Sequence, residues 1–282
     1  MGSIDRRLRA WLPSSWRLPL QALSIALVIV GVRLLLDLAD LERISLSPLI
    51  VTIITADVFV LSFILNGVLS DYKESEKLPG DLAAGMESIA EDCLLLWRHK
   101  QAAPARDCLQ YVLDLTSALR RWFCKEERTQ NLMDKVYGLG DFFMAFEPFT
   151  QANFIVRLKQ EQNAISRTVT RIHTIRETAF VSSGQTMAKV VTVLVLLGLL
   201  TVKIHPWYES VFLVGIVACF LSYLILLISD LDNPFDYDEK GRPMGQEISL
   251  KPLEDVERRI AQKLESANSA SAVAGEPPSK GS

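Results

Sequence analysis

Thr52-Ile53-Ile54-Thr55-Ala56-Asp57-Val58-Phe59-Val60-Leu61-Ser62-Phe63-Ile64-Leu65-Asn66-Gly67-Val68-Leu69-Ser70 carries one charged side chain among aliphatic, aromatic and small polar ones. Read as a helix from Pro48 to Ser70, the segment is about 34 Å long at about 1.5 Å per residue, enough for a hydrocarbon core of roughly 30 Å. Helices are expected there because unpaired backbone groups are not tolerated in lipid. At about 100° per residue, Thr52, Thr55, Phe59, Ser62, Phe63, Asn66 and Ser70 fall in one arc of about 100°. The aliphatic residues take the other side. Small hydroxyl and amide side chains arranged this way suit two purposes. They hydrogen-bond between packed membrane helices, or they line a water-filled path that apolar rings gate by dewetting. One helix cannot enclose such a path, so the pore reading requires a symmetric ring of subunits.

Asp57 lies opposite the stripe. Ionisable groups at this depth are costly and are usually paired. Three further segments are apolar enough to span: Leu18 to Leu38, Thr186 to Ile204 and Val211 to Ser229. On the first of these, Arg33 would sit about 8 Å below the outer surface and Asp57 about 14 Å below it. An intramembrane ion pair between Arg33 and Asp57 is therefore expected, with a proton or cation relay through Asp57 as the alternative.

Lys and Arg give the direction of insertion. The first 17 residues contain Arg6, Arg7, Arg9 and Arg17, whereas the short loop after the first span holds Asp40 and Glu42 against one Arg43. Both termini and the segment between the span pairs are thus expected in the cytoplasm of a multi-pass protein of the cell or inner membrane. The chain divides into a basic N-terminus (1–17), two spans (18–70) and a helical cytoplasmic domain (71–185). Two more spans (186–229), an acidic segment with an amphipathic helix (230–265) and a disordered tail (266–282) follow. The fold class is all-α. Pro79 suits a helix start and that helix runs to about Lys100. After Thr150, Phe154, Leu158, Ile165, Ile172 and Ala179 keep a 3–4 spacing, which suggests one long helix continuing into the third span. Its Arg157, Lys159, Arg167, Arg171 and Arg176 form either a solvated face or a cationic lining that concentrates anions.

Composition agrees with segregated membrane and polar segments. Of 282 residues, 49% are hydrophobic and 22% charged, with a mean hydropathy of +0.22. A net charge of −3 offers no field for nucleic acid. Cys93, Cys108, Cys124 and Cys219 have no CxxC spacing and read as free thiols. His99, His173 and His205 are scattered, and neither a phosphate loop nor a nucleophile motif is present, so no enzyme is expected.

The run Phe59-Val60-Leu61-Ser62-Phe63, followed by Tyr72, Glu76, Leu78 and Pro79, resembles the pore helix of bestrophins and the residues after it. Asn233-Pro234-Phe235, with acids following, is similar to that family's segment after the last span. The order of two spans, a helical domain, two spans and a tail also matches. The resemblance implies a homo-oligomeric, pentameric anion (chloride) channel whose second span lines the pore, with inorganic ions and the bilayer as its partners. It places Phe59 and Phe63 at two neck positions and Thr55 at a third, where an aliphatic residue is usual. It also implies a calcium site at Asp236, Asp238 and Glu239, although these acids are fewer than in animal members. The competing reading is a non-conducting membrane scaffold or sensor whose helical domain binds a partner protein.

The orientation has a direct check. An impermeant thiol reagent applied to intact cells is expected to label Glu42→Cys and Glu209→Cys but not Arg120→Cys, in a chain freed of its own cysteines. The opposite pattern reverses the topology.

Overall fold

The computed structural model describes residues 16–38, 44–45, 47–177, 182–203, 206–232, 234–235, 237 and 248–274. They form α1 (Arg17–Leu38), β1 (Ile44–Ser45), α2 (Pro48–Ser75), α3 (Leu78–Lys100), α4 (Ala103–Phe123) and α5 (Thr129–Ala145). After a short 3₁₀ turn at Glu147–Phe149 come α6 (Ala152–Glu177), α7 (Ser182–Thr201), β2 (Val202–Lys203), α8 (Trp207–Leu231) and α9 (Lys251–Ala274). The fold is all-α apart from the two-residue parallel pairing of Ile44 with Val202 and Ser45 with Lys203. The chain packs as two units, one from residues 1–72 and 179–234, the other from 73–178 and 235–282.

In the first unit, α1, α2, α7 and α8 are each long and apolar enough to cross a membrane. Little apolar area is hidden from solvent on them, as expected of helices whose outer faces meet lipid. The apolar residues that α1 buries are small. Ala22 and Ala26 of α1 are buried against the rest of the unit, and α1 runs along α8. Small residues allow such close approach where lipid gives apolar side chains no reason to cluster. Gly215 of α8 is part of this fit, since a Cβ there would come within 3.2 Å of Val30. Leu61 and Val68 of α2 join Ala188, Val195 and Leu199 of α7 and Leu221, Leu224 and Ile228 of α8 in one core.

The third span departs from its expected end. The sequence suggests helix to Ile204, but α7 stops at Thr201 and the chain turns extended at Val202 and Lys203. Tertiary bonds to the last carbonyls, described below, take over from further helical turns.

In the second unit, α3 packs on α4, α6 and α9, and α5 bridges α4 and α6. Pro79 lies in the first turn of α3, and the helix ends with Gln101 in the left-handed region at φ 51°, its N–H returning to the Trp97 carbonyl. Leu158, Ile165, Val169 and Ile172 of α6 are buried as their spacing requires, whereas Phe154 is only half-buried. The expected continuity of α6 with the third span involves residues 178–181, outside the described residues. Cys93 and Cys108 are buried free thiols, and Cys124 and Cys219 are half-buried. The Cys108 thiol beside Cys93, together with burial, pushes the Cys93 thiol well above its usual range.

The amphipathic helix near the C-terminus is α9, and Leu253, Val256, Ile260 and Leu264 are its buried face, set on α3 and α4. It continues to Ala274, beyond Ser266 where composition suggests disorder. Alanine is frequent there and extends a helix that is already docked. Arg106 donates to Asn268 at 3.0 Å on that extension. Ion pairs border the apolar seam: Arg259 makes two 2.8 Å bonds to Glu87, and Lys263 bridges Glu87 and Glu91.

The Arg259 guanidinium holds the Glu87 carboxyl below its ordinary range, opposed by partial desolvation and assisted by Lys263. A carboxyl depressed in the folded protein stabilises fully above its unfolded value, and the gain disappears as pH falls through the folded one. Wild type is expected to exceed Glu87→Gln in stability by roughly 0.5–1 kcal/mol near neutral pH. Denaturant titrations at decreasing pH should show the two converging in the acid range.

Candidate pore-lining face

The two faces of α2 are sharply different. Its buried side chains within the membrane unit are Asp57, Leu61 and Val68, at about 140–180° on the wheel that places Thr52 at zero. The stripe is on the other side. Phe59 is 72% exposed and Phe63 75%, and Thr52, Thr55, Asn66 and Ser70 are exposed, with Ser62 half-buried. The helices of its own chain leave this face uncovered.

The polar stripe divides in two. Thr52 donates to the Pro48 carbonyl at 2.9 Å and Thr55 to that of Val51 at 2.8 Å, so their hydroxyl protons are held by their own helix. Ser62, Asn66 and Ser70 have no hydrogen-bond partner among the described residues, which leaves their donors to whatever lies beside the helix. Phe59 and Phe63 stand between Thr55 and Asn66, with Ser62 between the two rings. No acidic side chain lies on the stripe.

The expected Arg33–Asp57 ion pair does not form. Arg33 is buried, and its guanidinium donates from Nη1 to the Leu200 carbonyl at 2.6 Å and from Nη2 to the Val202 carbonyl at 2.5 Å. Nε and Nη2 also reach the Ser210 hydroxyl at 3.2 and 3.0 Å. The physical reason is competition. The last carbonyls of a helix lack intrahelical donors, and the forked guanidinium meets several acceptors at the end of α7 at once. Arg33 thus caps α7 and ties it to the first turn of α8. Asp57 instead accepts a 3.1 Å bond from Thr192 of α7, and its Oδ2 has no partner among the described residues. Thr192 and Ser210 were not singled out by sequence. Their one signal is an isolated hydroxyl within an apolar helix.

The basic residues of α6 are largely engaged within the second unit. Arg157 pairs with Asp92, and Arg171 with Glu74 at 3.1 Å. Arg176 donates to the Trp122 carbonyl at 3.2 Å and stacks over the Trp122 ring, 5.1 Å from its centroid. Lys159 bonds Gln162 at 3.0 Å beside the Phe143 ring. Arg167 is exposed. A continuous cationic lining is not what this helix presents.

After α8, Phe235 is fully buried with its ring 5.7 Å from Phe123, and Tyr237 meets Phe123 edge-on while its hydroxyl donates to the Ile248 carbonyl. Both aromatic residues thus pack on Phe123 of α4. Asp236, Asp238 and Glu239 lie outside the described residues. Among the described residues no cluster of three or more His, Cys, Asp or Glu could hold a metal ion.

No protein-family model and no curated protein matches the sequence. Solved structures do match. A bacterial bestrophin homolog from Klebsiella pneumoniae has a TM-score of 0.70 at 11% identity, covering 88% of this chain and 97% of its own. A point variant of that homolog gives 0.73 at 11%, over 90% and 100%. A structure described as a membrane protein gives 0.72 at 11%, over 85% and 97%. At this identity the likeness is one of fold. The chain has the fold of the bacterial bestrophin homologs, so the resemblance carried by the second span extends through most of the chain.

Separate partners for Arg33 and Asp57 make a clear prediction. Arg33→Leu leaves carbonyls at the end of α7 unsatisfied and should cost about 1–3 kcal/mol. Because Asp57 shares none of those partners, the loss from Arg33→Leu should add to that from Asp57→Leu in the double variant, within about 0.5 kcal/mol. Thermal unfolding in detergent measures this, and recovery in the double variant would restore the ion pair.

Proposed function

We propose that this chain is one subunit of a homo-oligomeric, bestrophin-like channel that conducts anions such as chloride, with α2 lining the pore. One observation carries the reading: the polar and phenylalanine stripe of α2 is uncovered by the chain's own helices. A stripe that packed against the chain's own helices would be buried. The fold likeness to bacterial bestrophin homologs supports the same reading, and a five-fold ring follows from the resemblance. Both termini face the cytoplasm in this proposal.

In such a ring, five copies of Phe59 and Phe63 form two stacked apolar collars. Water leaves a narrow apolar collar readily, so the dewetted collar is the barrier to conduction. Asn66 and Ser70 on the cytoplasmic side, with Ser62 between the two rings, offer hydroxyl and amide donors to a hydrated anion at the collar. A cation path would profit from carboxylates on the wall. The one carboxylate within this span, Asp57, points to the opposite side, which favours anions.

Reconstituted in liposomes, the protein is expected to conduct chloride in preference to potassium. Phe63→Ala should raise conductance or open probability because a wider collar rewets. Leu61→Ala, on the buried face, should instead cost about 2–5 kcal/mol of stability through the cavity it leaves. Folded, oligomeric protein without flux in both wild type and Phe63→Ala contradicts the channel and favours the scaffold.

A further inference from the structure

Asp57 has no part in conduction as described, yet its carboxyl is 3% exposed inside a membrane helix with one oxygen lacking a partner among the described residues. Such a residue is expensive, and packing alone needs none, so its presence points to a task that packing cannot perform. Its position suggests the task. On the cytoplasmic side of Asp57, Leu61 and Val68 are seated in the core with Ala188 and the α8 leucines. On the outer side α2 and α7 leave a space between them. The space between Ile50, Ile53 and Ile54 of α2 and Val191, Leu194 and Val195 of α7 is an open apolar groove of about 360 Å³. Along α2, Asp57 and its hydrogen bond from Thr192 lie between the groove-lining isoleucines and Leu61.

Aliphatic contacts there resist separation but set rotation weakly, because Leu, Val and Ala surfaces slide without breaking directional bonds. A hydrogen bond from a hydroxyl on one helix to a carboxyl on the other is directional. Asp57 is also about 3 Å along the axis from Phe59 and nearly diametrically opposite the stripe. A rotation of α2 about its axis would therefore move the Asp57 carboxyl and the Phe59 ring through equal angles.

We propose that Asp57 is a positioning residue: its bond from Thr192 pins the rotation of α2 and so aims the Phe59 and Phe63 collars at the channel axis. This rests on the reading of α2 as the pore helix. The bond, and not the charge, is the operative feature. Asp57→Asn retains a carbonyl acceptor for Thr192 and should keep the aim. Asp57→Leu and Thr192→Val each lose the bond and should behave alike, with no further effect in the double variant.

The test reads rotation directly, in the full-length protein in liposomes with its own cysteines replaced. In the otherwise native chain, a water-soluble methanethiosulfonate reagent should label Ser62→Cys on the stripe rapidly and Val60→Cys on its flank slowly. In the Asp57→Leu and Thr192→Val backgrounds the ratio of those rates should fall about fivefold, the population shift one hydrogen bond supports. Asp57→Asn should leave the ratio unchanged. An unchanged ratio in Asp57→Leu and Thr192→Val overturns the pin, as does an Asp57→Asn chain that behaves like Asp57→Leu. If position 62 and position 60 label equally without any change at 57 or 192, the pore-helix reading itself fails, and that failure is distinct from failure of the pin. Size-exclusion elution matching the parent identifies variants that have kept their fold.

Discussion

A helix in a membrane can commit one face to its neighbours, and the choice made by α2 governs the rest. Leu61 and Val68 are committed to α7 and α8, with Asp57 bonded to Thr192 on the same side. Every other azimuth is left to lipid, to another copy or to water. Because apolar surface gains nothing by leaving lipid for another apolar surface, the committed face consists of small and aliphatic groups that fit closely. The uncommitted face is where polar groups and exposed aromatic rings collect. In the proposed ring they meet the anion.

Buried polar atoms in the membrane unit are used as fasteners. Arg33 closes the end of α7 by taking the Leu200 carbonyl, the Val202 carbonyl just past the helix and the Ser210 hydroxyl, which ties α1, α7 and α8 at one point. Gln185 does the same near the other end of α7 by donating to Asp232, just past the end of α8, at 2.8 Å. In the second unit the polar bonds frame an ordinary apolar core, and exposed pairs such as Arg171–Glu74 add little beyond register.

The elements of the fold were legible because their signals are strong. Runs of about 20 apolar residues have few alternative explanations, and the stripe on α2 emerged from periodicity alone. The seam of α9 was equally plain in Leu253, Val256, Ile260 and Leu264. The partners of Arg33 and Asp57 were not legible. Counting residues from the membrane surface gives depth but not azimuth, and two charges at similar depth can face different helices. Backbone carbonyls are also silent in a sequence, so the free carbonyls at the end of α7 could not be weighed against Asp57. The same silence hid the early end of that helix. Phe235 and Tyr237 stand in a run whose neighbours are mostly acidic, so neither periodicity nor hydropathy marks their burial.

The central claim is that the stripe of α2 borders the conduction path while the side chain next to Asn66 borders protein. Current through reconstituted protein, recorded before and after a charged, water-soluble methanethiosulfonate reagent, tests it on Asn66→Cys and Leu65→Cys. Leu65 is packed against the core of the membrane unit and Asn66 is exposed on the stripe. The account predicts that the reagent changes the anion current of Asn66→Cys and leaves that of Leu65→Cys unaltered. A current altered at Leu65→Cys but not at Asn66→Cys would contradict it.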